Sequence, residues 1–78
     1  MNTAQVLNVP MESTMLASAG YDAGQAVLDL EFCDGDIYRY SSVPATVFNQ
    51  LLAADSKGSF FNRNIRNCFR YTRLKTTR

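Results

Sequence analysis

Apolar and polar residues alternate through the first half of this chain and recur near every fourth position in the second. The clearest alternation lies in residues 26–32. There Leu28, Leu30 and Phe32 interleave with Asp29 and Glu31, giving a strand with one buried and one wet face. Residues 15–21 also read as a strand, made mostly of small side chains. Its inward face is open between Met15, Ala17, Ala19 and Tyr21 on one side and Leu16, Ser18 and Gly20 on the other. Gly20 is a candidate bulge or close approach of backbone. Asp22-Ala23-Gly24-Gln25 is a turn signal, with Gly24 able to take positive φ. Asp34-Gly35 between two strand patterns predicts a tight hairpin with both central residues at positive φ. Ile37-Tyr38-Arg39-Tyr40 is then the return strand, and the three strands make an antiparallel meander.

Pro44 changes the period. Proline suits the first position of a helix, where its missing N–H costs nothing. Ser42 or Val43 is the expected cap, and Val47, Phe48, Leu51 and Leu52 form one apolar stripe across residues 44–54. That helix supplies the covering layer a small sheet needs. Residues 55–58 break it. Residues 59–67 predict a second, shorter helix, with Phe61, Ile65 and Phe69 four apart and Arg63, Arg66 and Arg70 off their line. Residues 69–74 fit either a helix end or a strand, and their alternation favours the strand. The expected fold class is α+β: a three- to four-stranded antiparallel meander covered on one face by one helix plus a second short helix. Residues 1–12 lack periodicity and read as a flexible N-terminal tail, residues 13–74 as one domain, and residues 75–78 as a basic C-terminal tail.

Length limits the core. Seventy-eight residues make one domain that buries about 60–65% of the surface its unfolded chain exposes. With 46% apolar and 19% charged residues the chain is globular rather than disordered. It has no apolar run long enough for a membrane span and no secretion signal near Met1, so no membrane partner and a cytoplasmic location are expected. Cys33 and Cys68 are read as reduced thiols, one or both half-buried, with a disulfide between them as the alternative.

Charge alters the picture more. The net charge of +1 hides a segregation. All seven acids precede residue 56 and share that span with one basic residue, Arg39, a net −6. From Ser56 on there are seven basic residues and no acid, a net +7. Such asymmetry points to a polyanion-facing surface or to two halves that neutralise each other. Tyr38 and Tyr40 leave the same strand face and form either a base-stacking platform or a wall of the core. The segment from Lys57 through Gly58, Phe60, Asn62 and Arg63 to Arg66 is the stronger candidate site. Gly58 before a helix start would leave N–H groups for an anion, and Phe60 would be exposed to stack. Arg70 and Arg73 extend the basic run to track phosphates. Catalysis has little support. Without histidine there is neither the usual acid–base group nor a zinc ligand set, and neither cysteine has a base partner. No cofactor or metal is expected.

The ordered set of Gly20-Tyr21-Asp22, Leu28-x-Leu30-x-Phe32, Gly35, Tyr38-x-Tyr40, Val43-Pro44, Phe48, Leu51, Leu52, Ser56-x-Gly58, Phe60-Phe61-Asn62 and Ile65-Arg66 resembles the KTSC domain family, across about residues 13–74. Its serine pair stands here as Ser13-Thr14, a mild departure. Domains of that family occur at the C-terminus of some lysyl-tRNA synthetases and as small stand-alone bacterial and phage proteins. The resemblance implies no catalytic residue, and the synthetase context implies RNA binding. The expected function is therefore a non-catalytic module that binds RNA, either tRNA or single-stranded, through Lys57, Phe60, Asn62, Arg63, Arg66, Arg70, Arg73, Tyr38 and Tyr40. The alternative is a module that binds another protein or a second copy of itself.

Overall fold

The computed structural model describes residues 6–11 and 13–75. They form strands β1 (Val6–Pro10), β2 (Leu16–Asp22), β3 (Val27–Phe32) and β4 (Ile37–Tyr40), helices α1 (Ala45–Ala53) and α2 (Lys57–Asn64), and strand β5 (Tyr71–Lys75). The class is the expected α+β, with five strands where three to four were expected. The sheet is antiparallel throughout, its spatial order following the chain from β1 to β5. The two extra strands come from residues read as tails or as ambiguous. Val6–Pro10, expected within the N-terminal tail, pairs with β2. Lys75, expected in the C-terminal tail, ends β5 and lies opposite Ile37. The rest of both expected tails, residues 1–5, Glu12 and residues 76–78, lies outside the described residues.

The alternation in β3 sets the core. Leu28 and Leu30 are fully buried, and their cross-strand partners are Tyr40 and Tyr38, so both tyrosines share the covered face. Asp29 and Arg39 meet on the opposite, wet face in a two-pronged ion pair, with Nε and Nη2 of Arg39 donating to the carboxylate at 2.8 and 2.9 Å. In β2 the inward face is neither of the two simple sets. Ala17 is an extra residue between Leu16, opposite Phe32, and Ser18, opposite Glu31. This bulge flips the alternation, so Leu16, Ala19 and Tyr21 all point inward and are buried. The bulge expected at Gly20 is therefore three residues upstream.

The turns differ in detail from expectation. Gly35 N–H donates to Phe32 O and Phe32 N–H to Asp36 O, both at 2.8 Å, and Gly35 alone of the hairpin residues has positive φ, at 96°. The connection is thus a three-residue loop ending in a left-handed glycine, not a two-residue turn. In the β2–β3 loop the left-handed residue is Ala26 (φ 56°) rather than Gly24. The Ala26 carbonyl accepts from Val43 N–H at 2.8 Å, which ties the loop to the segment before α1 and holds the strained conformation.

Pro44 occupies the cap position of α1 itself, with no side-chain cap. Phe48 and Leu51 are the helix's buried residues. Phe48 stacks on Tyr21 (5.0 Å, 12°), whose buried hydroxyl donates to Val43 O at 2.6 Å. α2 starts two residues earlier than the spacing suggests. Ser56 is its cap, accepting from Ser59 N–H at 3.3 Å, and Gly58 lies inside the helix against Met15. Phe61 and Ile65 are its anchors in the core. Both cysteines are exposed free thiols, not half-buried.

Candidate functional site

The helices do not cover the sheet to its β5 edge. β5 pairs with β4 so that Tyr71 lies opposite Tyr40 and Arg73 opposite Tyr38. An open groove of about 440 Å³ remains between β4–β5 and α2. Five aromatic rings line it in a closed circuit. Phe32 meets Tyr38 at 5.6 Å, Tyr38 meets Tyr71 at 5.5 Å, Tyr71 meets Tyr40 at 5.6 Å, Tyr40 meets Phe61 at 5.8 Å, and Phe61 returns to Phe32 at 5.3 Å. Their burial is graded. Tyr40 and Phe61 are each 4% exposed, whereas Tyr71 is 57% exposed. The same rings close the core at one end and open to solvent at the other.

Polar groups stand along the rim. Asn62, Arg66 and Asn67 line the helix side, and Asp34 and Asp36 the hairpin side. Arg66 is aimed by the end of α2. The N–H groups of Ile65 and Arg66 both donate to Phe61 O, at 3.0 and 2.9 Å, and Ile65 is fully buried. The Arg66 guanidinium donates to Asn62 Oδ1 at 3.4 Å. Arg73 lies over the Tyr38 ring at 5.3 Å and donates from Nε and Nη2 to its hydroxyl at 3.1 and 2.8 Å. That hydrogen bond holds the Arg73 pKa above its ordinary value.

Burial pushes the Tyr40 hydroxyl up to about 12, helped by neighbouring Tyr38 and Tyr71 and opposed by Arg66. The folded pKa exceeds the ordinary one, so the fold favours the neutral phenol. This contribution is whole below pH 10 and is lost as pH rises towards about 12. A difference of that size is on the order of 2–3 kcal/mol. We expect tyrosinate absorbance to show a late-titrating component that is missing in Tyr40→Phe. Stability should fall more steeply above pH 10 in the parent than in the variant. A titration curve whose high-pH end is unchanged by Tyr40→Phe would contradict it.

Of the residues singled out by sequence, Tyr38, Tyr40, Asn62 and Arg66 come together in the groove, and Arg73 adjoins it through Tyr38. Arg70 lies next door, lining a shallow hollow with Ser41, Phe69, Tyr71 and Thr72. Arg63 is exposed in the last turn of α2 but does not line the groove. Lys57, Phe60 and Gly58 lie apart from this groove lining. Lys57 Nζ donates to Ala54 O at 2.7 Å where α1 ends. Phe60 is half-buried and packs against the core instead of standing free to stack. Gly58 is the second residue of α2, just inside the Ser56 cap and beside Met15. Among the described residues, Arg63, Arg66, Arg70 and Arg73 form no ion pair with Asp29, Glu31 or Asp55. Sequence reasoning missed Tyr71, the most exposed ring, although the alternation of Tyr71 with Thr72 and Arg73 carried the signal.

An antiparallel five-strand meander half-roofed by two helices, with an aromatic groove where the roof ends, defines a small α+β domain. The model of the KTSC domain matches residues 12–71, and the chain belongs to that family. It is 43% identical to an uncharacterised protein of Stutzerimonas stutzeri over 67 residues, covering 85% of this chain and 94% of that one. It is 38% identical over 63 residues to a lysine–tRNA ligase of a Nostoc species, covering 81% of this chain and 11% of the enzyme. The crystal structure of a KTSC domain protein from Yersinia pestis superposes with a TM-score of 0.87 at 28% identity, covering 91% of this chain and all of that one. No described helix is long and apolar enough to cross a membrane.

Proposed function

We propose that this domain is a non-catalytic RNA-binding module that works through the aromatic groove and the arginines beside it. The observation that carries the reading is the meeting of exposed Tyr71 and half-buried Tyr38 with Arg66, Asn62 and Asn67 in one open groove. Rings supply stacking surfaces, arginines meet phosphates, and amides reach base edges. Arg63, Arg66 and Arg70 are exposed, and among the described residues they form no ion pair with Asp29, Glu31 or Asp55, which supports a polyanion-facing surface. The same segment recurs inside enzymes named for tRNA. A cytoplasmic location is part of this reading. Titrating labelled tRNA and a single-stranded RNA at 50 and 200 mM salt tests the reading. Affinity should fall at higher salt, in proportion to the phosphates neutralised. No binding of either RNA at the lower salt would overturn it.

A second reading has one observation in its favour. β5 is an edge strand whose five residues are all exposed, with Tyr71 at 57% and Leu74 at 46%. Such an edge accepts a strand from another protein or a second copy. Sedimentation velocity at high concentration separates the cases, since a strictly monomeric protein counts against self-association.

A further inference from the structure

Resting on the RNA reading, we infer that the groove is a socket for one unpaired nucleotide, with Tyr71 as its stacking ring, so that the ligand is single-stranded RNA and not a duplex. Three observations carry this. The first is shape. At about 440 Å³ the groove is near the small end of the roughly 300–1,000 Å³ range for small-molecule sites. It holds one flat ring with its polar attachments, not a run of stacked bases. Its rings lie in a concavity between β4–β5 and α2, where the bases of a closed duplex cannot reach them. A base must be splayed out to touch them.

The second observation is the position of Tyr71. It lines the groove on one side and the hollow containing Ser41, Arg70 and Thr72 on the other. A strand crossing this residue places one nucleotide in the groove and its neighbour in the hollow. Tyr71 is also the ring of the circuit with the most face to offer, whereas Tyr40 and Phe61 are committed to the core.

The third is charge. The groove carries Arg66, Asn62 and Asn67 on its helix side and Asp34 and Asp36 on the hairpin side. The phosphate backbone therefore runs past Arg66 on the helix side of the groove and Arg70 in the hollow. Arg73, lying over Tyr38 with two hydrogen bonds to its hydroxyl, extends the flat wall of the socket.

The test compares an unstructured mixed-sequence RNA of about ten nucleotides with a blunt duplex of the same length. The proteins are the full chain and its Tyr71→Ala and Tyr71→Phe variants. The chain has four tyrosines and no tryptophan, so quenching of tyrosine emission reports stacking directly. We expect the single strand to bind at least tenfold more tightly than the duplex. Tyr71→Ala should weaken it roughly 5- to 150-fold, the span of one lost base–aromatic stack. Tyr71→Phe should keep most of the affinity, since it keeps the ring. Tyr71 is exposed, and matching circular dichroism of the variants confirms that the fold is unaffected. Equal binding of strand and duplex, or full affinity in Tyr71→Ala, overturns the socket while leaving an electrostatic RNA-binding role in place. No binding of either RNA overturns the RNA reading as well.

Discussion

Phe48→Ala is expected to cost about 3–5 kcal/mol and to leave the protein largely unfolded or without fixed packing at 25 °C. Phe48 is 2% exposed, and α1 has only Phe48 and Leu51 as buried residues. Its ring stacks on Tyr21, whose hydroxyl in turn donates to Val43 O just before the helix. Removing the ring therefore opens a cavity and loosens the Tyr21 hydrogen bond that fixes how the chain enters α1. A domain of this length has a total stability of about 4–12 kcal/mol, with small cores in the lower part of that range. One such loss is comparable to the whole. Phe48→Leu, which keeps most of the volume, should cost about 1–1.5 kcal/mol and retain a cooperative urea transition. A loss below ~1.5 kcal/mol for the alanine variant would mean that α1 does not anchor the roof of the sheet.

The double variant Arg66→Gln/Arg70→Gln should weaken single-stranded RNA binding about 25-fold at 0.1 M salt. The figure follows from counterion release. Each phosphate neutralised on a single strand contributes a slope of about −0.7 in log K against log salt, worth about fivefold at that concentration. The salt slope of the double variant should accordingly be shallower by about 1.4. Arg39→Gln is the control. Arg39 pairs with Asp29 on the wet face, away from the groove. Its loss should cost no more than about 1 kcal/mol of stability and leave RNA affinity unchanged. Equal weakening by both changes would show that the protein attracts RNA only by overall charge.

How much of this could be read from the chain depends on burial. Leu28 and Leu30 against Asp29 and Glu31 announced β3, because one face of that strand is dry and the other wet. Phe48 and Leu51 announced α1 for the same reason. β5 gave only a faint signal, since all five of its residues are exposed and its register comes from backbone pairing with β4. β1 is the other edge strand and gave no signal. The bulge at Ala17 was hidden because Leu16, Ala17, Ser18 and Ala19 fit either alternation, and only pairing with Phe32 and Glu31 decides between them. At the site, the sequence named Tyr38, Tyr40, Asn62 and Arg66 but not their meeting. Tyr38 and Tyr40 were open between core and platform, and the fold makes them both: Tyr40 seals the core while Tyr38 faces the groove edge. Phe60 was misread because adjacent phenylalanines on a helix differ by about 100° in direction, and the α2 roof has packing partners for both. That the end of α1 lies within reach of Lys57 was likewise hidden, because it depends on how the two helices meet.

The most direct test is an NMR titration of the isotopically labelled protein with a short unstructured RNA at low salt. Shifted amide and side-chain signals should cluster on Tyr38, Tyr40, Asn62, Arg66, Asn67, Arg70 and Tyr71, with Asp29, Glu31 and Arg39 unmoved. Shifts centred on the Asp29–Arg39 face, or none at all, would contradict it.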